Sequence, residues 1–238
     1  MKRCLWATGL LLAGAAGIQA QGTQPVELEL VLAVDTSTSV DADEFDLQTS
    51  GLAQAFLSPE VVSAIRAAGG DQGVAISLVQ WAGKARQATV VDWQLVHDAQ
   101  SAAAFAARIA ATKRIIDGLT DIAGAIDYSV KSIEENRYEG TRKVIDVSGD
   151  GSSDARSSEA SRNSANAKGI IINGLVIHNV DYSLGELANI DLHEHYANHV
   201  IGGSGAFLMT AKDYADFKIA IRAKLVREIT GPVSASAD

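Results

Sequence analysis

The chain has 238 residues, of which 47% are hydrophobic, and this length is ordinary for one α/β domain with a sizeable core. Its formal net charge of −9 argues against nucleic-acid binding, because an acidic protein repels phosphate groups. Its one cysteine, Cys4, lies near the N-terminus, so a chain without that segment has no thiol for a disulfide, a thiolate metal site or a cysteine nucleophile.

The first 20 residues have the pattern of a signal peptide. Lys2 and Arg3 precede a short apolar run that ends in small residues, and we predict cleavage after Ala20. The run is short and rich in Gly and Ala, which argues against a stable membrane span, with an uncleaved anchor as the alternative. We therefore expect a periplasmic or secreted protein.

From Val26 onward, short β-branched runs alternate with amphipathic stretches. This alternation predicts an α/β fold of the Rossmann-like, doubly wound kind, with a mainly parallel six-stranded sheet and helices on both faces. The predicted strands are 27–34, 74–82, 88–96 as an antiparallel edge, 142–149, 170–177 and 206–211. The predicted helices begin near 42, 59, 99, 121 and 213, a further helix ends near Gly169, and 179–205 reads as less regular. We assign 1–20 to the signal peptide, 26–230 to one domain and 231–238 to a flexible tail.

The string DTSTS follows the first buried strand and carries Asp35, Ser37 and Ser39. In open α/β sheets, ligands bind at the carboxyl ends of the strands, where the strand order reverses. A carboxylate with two hydroxyls at alternate positions offers hard oxygen donors, which suit Mg²⁺, Mn²⁺ or Ca²⁺. The alternative is that these hydroxyls only cap the next helix.

Two further loops make the sequence resemble the von Willebrand factor A (VWA) family. Thr120 opens the helix of TDIAGAI, and Asp150 follows the strand of VIDVSGDG. Together with DTSTS, these loops resemble the metal-ion-dependent adhesion site (MIDAS) of that family. A narrower resemblance, based on INGLVI and VIGGSGAF, is to bacterial secreted VWA-like proteins of unknown function.

The resemblance implies a ligand set and a role. Ser37 and Ser39 would ligate a divalent cation through their hydroxyls, Thr120 would ligate directly or through water, and Asp35 and Asp150 would hold further waters. One position would stay open for an acidic group of a partner, a protein or another ligand. One feature departs from the family pattern, because Gly149 stands before the last acid where Thr or Ser is usual.

The segment HEHYANH is a second candidate metal site, with His193, His195 and His199. On a helix, His195 and His199 would face the same side, and three imidazoles could bind Zn²⁺ in a hydrolase. The HExxH order is missing, because Glu194 precedes His195 directly. We favour a polar surface segment that is not a zinc site.

The sequence thus predicts a binding module rather than an enzyme, since it has no G-x-S-x-G elbow and no carboxylate pair in a context suited to acid–base catalysis. The alternatives are the zinc-dependent hydrolase and a structural scaffold of the cell envelope. The glycines of IGGSG precede a strand rather than a helix, so we interpret them as a tight bend and not a phosphate loop.

Overall fold

The structure is a computed structural model that describes residues 22–69, 72–178 and 191–231. The predicted signal peptide and nearly all of the predicted tail lie outside the described residues. The strands are β1 (Gln24–Asp35), β2 (Val74–Trp81), β3 (Gln87–Val96), β4 (Tyr138–Gly149), β5 (Ile170–Ile177) and β6 (Leu208–Ala211). The helices are α1 (Ala42–Leu57), α2 (Pro59–Gly69), α3 (Ala99–Ala110), α4 (Ile122–Glu135), α5 (Ala155–Ala167), α6 (Leu192–His195) and α7 (Tyr214–Thr230), and a π-helical turn spans Tyr196–Val200.

The six strands form one sheet in the order β3-β2-β1-β4-β5-β6. Every neighbouring pair is parallel except β2 and β3, so the predicted antiparallel edge is confirmed. The order reverses between β1 and β4, which places a ligand crevice at their carboxyl ends. The doubly wound α/β fold expected from the sequence is therefore confirmed.

Several strand boundaries differ from the prediction. β1 and β4 begin at Gln24 and Tyr138 rather than at 27 and 142, because their first residues pair with each other from Gln24 opposite Tyr138 onward. The first residues of β4 are mostly polar, so the sequence pattern did not indicate that they continue the strand. β6 is shorter than predicted and begins at Leu208.

The core lies on both faces of the sheet because side chains alternate along each strand. Leu28, Leu30 and Leu32 of β1 pack in one cluster with α1, α2, α3 and α7. Val31 and Ala33 belong to a second cluster with α4, α5 and the π-helical turn. The helical spacing of the apolar residues in α1 and α7 predicts one inward face for each helix, and this is confirmed. The side chains concerned are all buried: Phe45, Leu52 and Phe56 of α1, and Tyr214, Phe217, Ile221, Leu225 and Ile229 of α7.

Aspartates begin six of the helices in the described residues. Each side chain accepts a hydrogen bond from a backbone N–H in the first turn, which satisfies a donor that the helix itself leaves free. The six N-caps are Asp41, Asp98, Asp121, Asp154, Asp191 and Asp213. Much of the acidic composition therefore serves local structure.

The described part of the predicted irregular stretch is mostly helical, which corrects the prediction. α6 runs directly into the π-helical turn, and Tyr196 and Val200 of that turn are fully buried. Both side chains belong to the second core cluster, because residues four apart lie on the same face of a helical turn. Among the described residues, no helix is long and apolar enough to cross a membrane.

Candidate metal site

The candidate site is built where β1 and β4 end side by side. Asp35 is the last residue of β1, Gly149 is the last of β4, and Asp150 follows it. Parallel neighbours bring both strand ends to the same edge of the sheet, at the reversal of the strand order. The fold thus places the two acids predicted as site residues in adjacent loops.

Asp35 is a fully buried carboxylate with an incomplete set of hydrogen bonds. Its Oδ1 accepts a bond from the backbone N–H of Ser37 at 2.7 Å, whereas Oδ2 has no partner in the described part of the chain. Burial, followed by the charge of Asp150, raises the pKa of Asp35 to about 7. An anion held here is therefore poorly stabilised by the protein alone.

Ser37, Ser39 and Asp150 form a continuous chain of oxygen atoms. The two serine hydroxyls lie 3.0 Å apart, and Ser39 donates to Oδ1 of Asp150 at 2.7 Å. The hydroxyl of Tyr214 on α7 donates to the other oxygen, Oδ2, at 3.3 Å. Burial also raises the pKa of Asp150. Tyr214 is a site neighbour that the sequence reasoning placed only in the core.

Thr120 borders the same loops. A Cβ built on Gly151 would lie 2.9 Å from Oγ1 of Thr120, so this hydroxyl lies against the residue that follows Asp150. The structure therefore brings all five predicted residues into one cluster. Its donors are hydroxyl and carboxylate oxygens, the kind that Mg²⁺, Mn²⁺ and Ca²⁺ prefer.

Arg114 clamps the loop after β1, a role that the sequence did not reveal. Its guanidinium donates to the carbonyls of Thr36, Ser37 and Val40 at 2.8, 2.8 and 2.6 Å. The clamp comes from the segment before Thr120, and the N–H and Oγ1 of Thr38 bind the carbonyl of Gly118 in that segment. Two of the three site loops are thus tied together through their backbones.

The histidine segment does not gather into a comparable site. The rings of His195 and His199 lie 5.2 Å apart, as their helical spacing predicted, but Nδ1 of His199 is 2.6 Å from Glu159. In the described ranges, no three His, Cys, Asp or Glu side chains are placed to hold a metal ion. The segment lies mainly at the surface, as predicted, although Tyr196 within it is buried.

A cavity of about 560 Å³ in the described structure lies elsewhere, between β3 and α4. Trp93 and Tyr128 line it, but Nε1 of Trp93 donates to Ser132 at 3.0 Å, and the Tyr128 hydroxyl lies 3.1 Å from the N–H of Thr89. Their polar groups therefore bind neighbouring residues of the chain. We consider the cluster at the ends of β1 and β4 the better candidate, because the buried Asp35 has an oxygen without a hydrogen-bond partner in the described structure and the exposed Ser39 opens the cluster to solvent.

Comparisons with known proteins agree with this fold. A family profile described as "Protein of unknown function (DUF1194)" matches residues 25–233. No curated protein matches the chain by sequence.

Solved structures with the same fold include three VWA-type proteins. The pilus adhesin SpaC from Lactobacillus rhamnosus GG is 11% identical with a TM-score of 0.62, over 86% of this chain and 30% of its own. The proximal thread matrix protein 1 of the mussel byssus, with a zinc-occupied MIDAS motif, is 14% identical with a TM-score of 0.58, over 84% and 45%. The von Willebrand factor type A protein from Catenulispora acidiphila is 14% identical with a TM-score of 0.57, over 85% and 43%. The chain spans less than half the length of each of these chains.

Proposed function

Because the chain belongs to the DUF1194 family and has the VWA fold, we propose that it is a secreted or periplasmic module that binds an acidic group of a partner through a divalent cation. The observation that carries this proposal is the convergence of Asp35, Ser37, Ser39, Thr120 and Asp150 at the reversal of the strand order. Oδ2 of Asp35, buried and without a partner in the described chain, is the atom that most needs an added positive charge nearby.

The donor set suits a cation that stays attractive to an outside ligand. Ser37, Ser39 and Thr120 would offer neutral hydroxyls, and Asp35 and Asp150 would offer the two negative charges. A dication held in this way balances the two negative charges and keeps an open position for a carboxylate. Without it, an acidic ligand would meet two acids on an acidic protein and would be repelled.

Two exposed aliphatic side chains suggest that the partner is a polypeptide. Ile115 and Leu119 are 63% and 83% exposed, although Arg114 and Gly118 anchor the backbone beside them. Leu119 directly precedes Thr120. A partner with an apolar side chain beside its carboxylate could bury this surface as it reaches the site, whereas an acidic polysaccharide would gain less from it.

The location outside the cytoplasm rests on the predicted signal peptide and on the lack of any cysteine after residue 20. Proteins that share the fold include one described as a pilus adhesin and one described as a thread matrix protein of the mussel byssus, which agrees with this location. A role in adhesion or assembly rather than catalysis fits the same pattern. The scaffold alternative would have a loaded site but no partner at it.

The test is a calorimetric titration of the chain from residue 21 with Mg²⁺, Mn²⁺ and Ca²⁺, beside its Asp35→Ala variant. We expect uptake of at least one ion in the millimolar range or below, and a loss with Asp35→Ala that is severe for Mg²⁺ and milder for the more adaptable Ca²⁺. No uptake by the unaltered protein, or equal uptake by both, would refute the proposal.

Partner capture from cell-envelope extract, with and without a chelator, separates the module from a scaffold. Capture that disappears in chelator while the fold persists supports the binding module. Capture that is indifferent to the chelator favours the scaffold. Retention of one equivalent of zinc, and its loss in His195→Ala, would instead favour the hydrolase.

A further inference from the structure

Two polar atoms beside the candidate site lack hydrogen-bond partners in the described structure. They are Oδ2 of Asp35 and the hydroxyl of Tyr196, and both residues are 0% exposed. Buried polar groups are nearly always hydrogen-bonded, since an unmade bond leaves the cost of desolvation uncompensated. Two such atoms at one place indicate that they share a hydrogen-bond partner.

Gly149 shows that both atoms border the same small space. A Cβ built on Gly149 would lie 2.8 Å from Oδ2 of Asp35 and 2.9 Å from the Tyr196 hydroxyl. This is the position just before Asp150, where the VWA resemblance leads one to expect Thr or Ser. The neighbouring Ser148 does not replace that hydroxyl, because its Oγ is directed to the carbonyl of Ala33, at 3.4 Å. A side chain at 149 would collide with the acid and the phenol together.

The π-helical turn is what brings Tyr196 to this place. Tyr196 is its first residue, and its carbonyl accepts a bond from the N–H of Ile201, five residues on. The ring lies against β5, where a Cβ on Gly174 would be 3.1 Å from Cδ1 of the tyrosine. Single π turns inside helical segments occur often at functional sites, because they redirect one side chain.

We infer that Tyr196 is a positioning residue for the metal site: when the ion is bound, its hydroxyl donates to a water that bridges to Oδ2 of Asp35, in place of the Thr or Ser missing at position 149. The inference rests on the proposed metal-dependent function. The hydroxyl is suited to donate, since burial and the charges of Asp35, Asp150 and Asp146 raise the pKa of Tyr196 well above its usual value and keep it protonated. Groups that orient metal-site side chains in this way commonly change metal affinity by about 10- to 100-fold when removed.

The experiment compares Tyr196→Phe with Tyr128→Phe, which removes a hydroxyl that serves the edge of the sheet near Thr89. Mg²⁺ and Mn²⁺ affinities are measured by calorimetry, and unfolding by urea is measured in chelator. We expect Tyr196→Phe to weaken metal binding about tenfold or more, and Tyr128→Phe to stay within about twofold. In chelator, Tyr196→Phe should be at least as resistant to urea as the unaltered protein, because it removes a hydroxyl that has no partner without the ion. A purely structural tyrosine would lose resistance to urea instead.

A second substitution tests the exchange of one hydroxyl for another. Gly149→Ser alone should weaken metal binding, because its Cβ would meet Oδ2 of Asp35 and the hydroxyl of Tyr196. Added to Tyr196→Phe, the same substitution should restore part of the metal affinity. Equal metal affinity of Tyr196→Phe and the unaltered protein would overturn this inference and leave the proposed function intact. Failure of the unaltered protein to take up any ion would overturn both.

Discussion

Two groups of buried or half-buried acids lie on or beside β4, and they differ in what balances their charge. Asp146 and Glu228 share the ammonium group of Lys224, whose Nζ is 2.7 Å from Asp146 and 2.5 Å from Glu228. Asp35 and Asp150 have hydroxyl and backbone partners instead. The charge that acts most on Asp35 is that of Asp150, which has the same sign.

This difference separates a structural cluster from a candidate binding site. Lys224, Asp146 and Glu228 are at most 2% exposed, so no outside ion can replace the ammonium group. The cluster of Asp35 opens to solvent through the exposed Ser39. A buried acid that is paired with an internal cation affects the stability of the fold. A buried acid without such a cation, next to an opening to solvent, is a candidate for binding a cation from outside.

We call Lys224, Asp146 and Glu228 the closed cluster, and Asp35, Ser37, Ser39 and Asp150 the open cluster. The largest effect is expected from Lys224→Met, which removes the internal cation of the closed cluster. Breaking a buried ion pair by deleting one partner leaves an uncompensated charge and typically costs about 3–5 kcal/mol. We expect a loss of this size in the free energy of unfolding, measured with urea. Lys218→Met, an exposed lysine of the same helix, is the control and should change stability by less than about 0.5 kcal/mol. Equal stability of the two variants would erase the contrast between the clusters.

The open cluster should respond in the opposite way to Asp35→Asn. The amide keeps an acceptor for the N–H of Ser37 but removes the buried charge. In chelator we expect a free energy of unfolding at neutral pH equal to or above that of the unaltered protein, since repulsion from Asp150 is relieved. Mg²⁺ affinity should fall at least about 100-fold, or about 2.7 kcal/mol. Asp127→Asn, an exposed site on α4, is the control. A destabilised metal-free variant with normal Mg²⁺ binding would contradict our assignment.

Sequence periodicity predicted the fold well because long apolar runs specify it. β5 was predicted to the residue, and the inward face of α7 was predicted from its spacing. The start of β4 was missed because Glu139 and Gly140 look like a turn, and only pairing with β1 makes them a strand. Capping by Asp98 or Asp213 was also missed, although an acid just before a helix is a recognisable signal.

The residues of the candidate site were predicted from short motifs, but their supports were not. The motifs name Asp35 and Asp150 because those acids stand at strand ends. Arg114 and Tyr196 are far from Asp35 in the sequence. They belong to a loop and to a π turn, and hydrophobic periodicity predicts neither of these elements. Gly149 was the one local hint, since a missing side chain leaves room for another group.

The pH dependence of the free energy of unfolding should reveal the raised pKa of Glu228 in the closed cluster. Burial, followed by the charge of Asp146, raises the pKa of Glu228 to about 8. In the unfolded chain a Glu titrates near 4.3, so between about pH 4.3 and 8 the folded state holds a proton that the unfolded state lacks. The free energy of unfolding, measured with urea in chelator, should therefore fall as pH rises through this window, by at most about 1.4 kcal/mol per pH unit for this group.

Glu228→Gln identifies the source of that slope. The amide oxygen can still accept from Lys224 and Asn173, as Oε1 of Glu228 does, but the group no longer titrates. We expect a shallower fall of stability between pH 5 and 8. Asp35→Asn, measured alongside, should remove a separate part of the slope, ending nearer pH 7. A Glu228→Gln profile parallel to that of the unaltered protein would show that Glu228 is ionised in the fold.

The smallest effect concerns the exposed aliphatic rim of the open cluster, formed by Ile115 and Leu119. The closed cluster has no such rim in the described structure. Leu119→Ser should leave stability within about 0.5 kcal/mol, because the side chain is 83% exposed. We expect Mg²⁺-loaded protein, titrated by NMR with the blocked peptides GLDLG and GSDSG, to prefer the leucine peptide. Partial burial of one aliphatic side chain contributes about 1 kcal/mol, so the preference should be about fivefold. Leu119→Ser should abolish it without changing Mg²⁺ affinity, and Leu57→Ser, an exposed leucine at the end of α1, should preserve it. Equal binding of both peptides by the unaltered protein would mean that the rim does not select an apolar neighbour, and the case for a polypeptide partner would fall while the metal site stood.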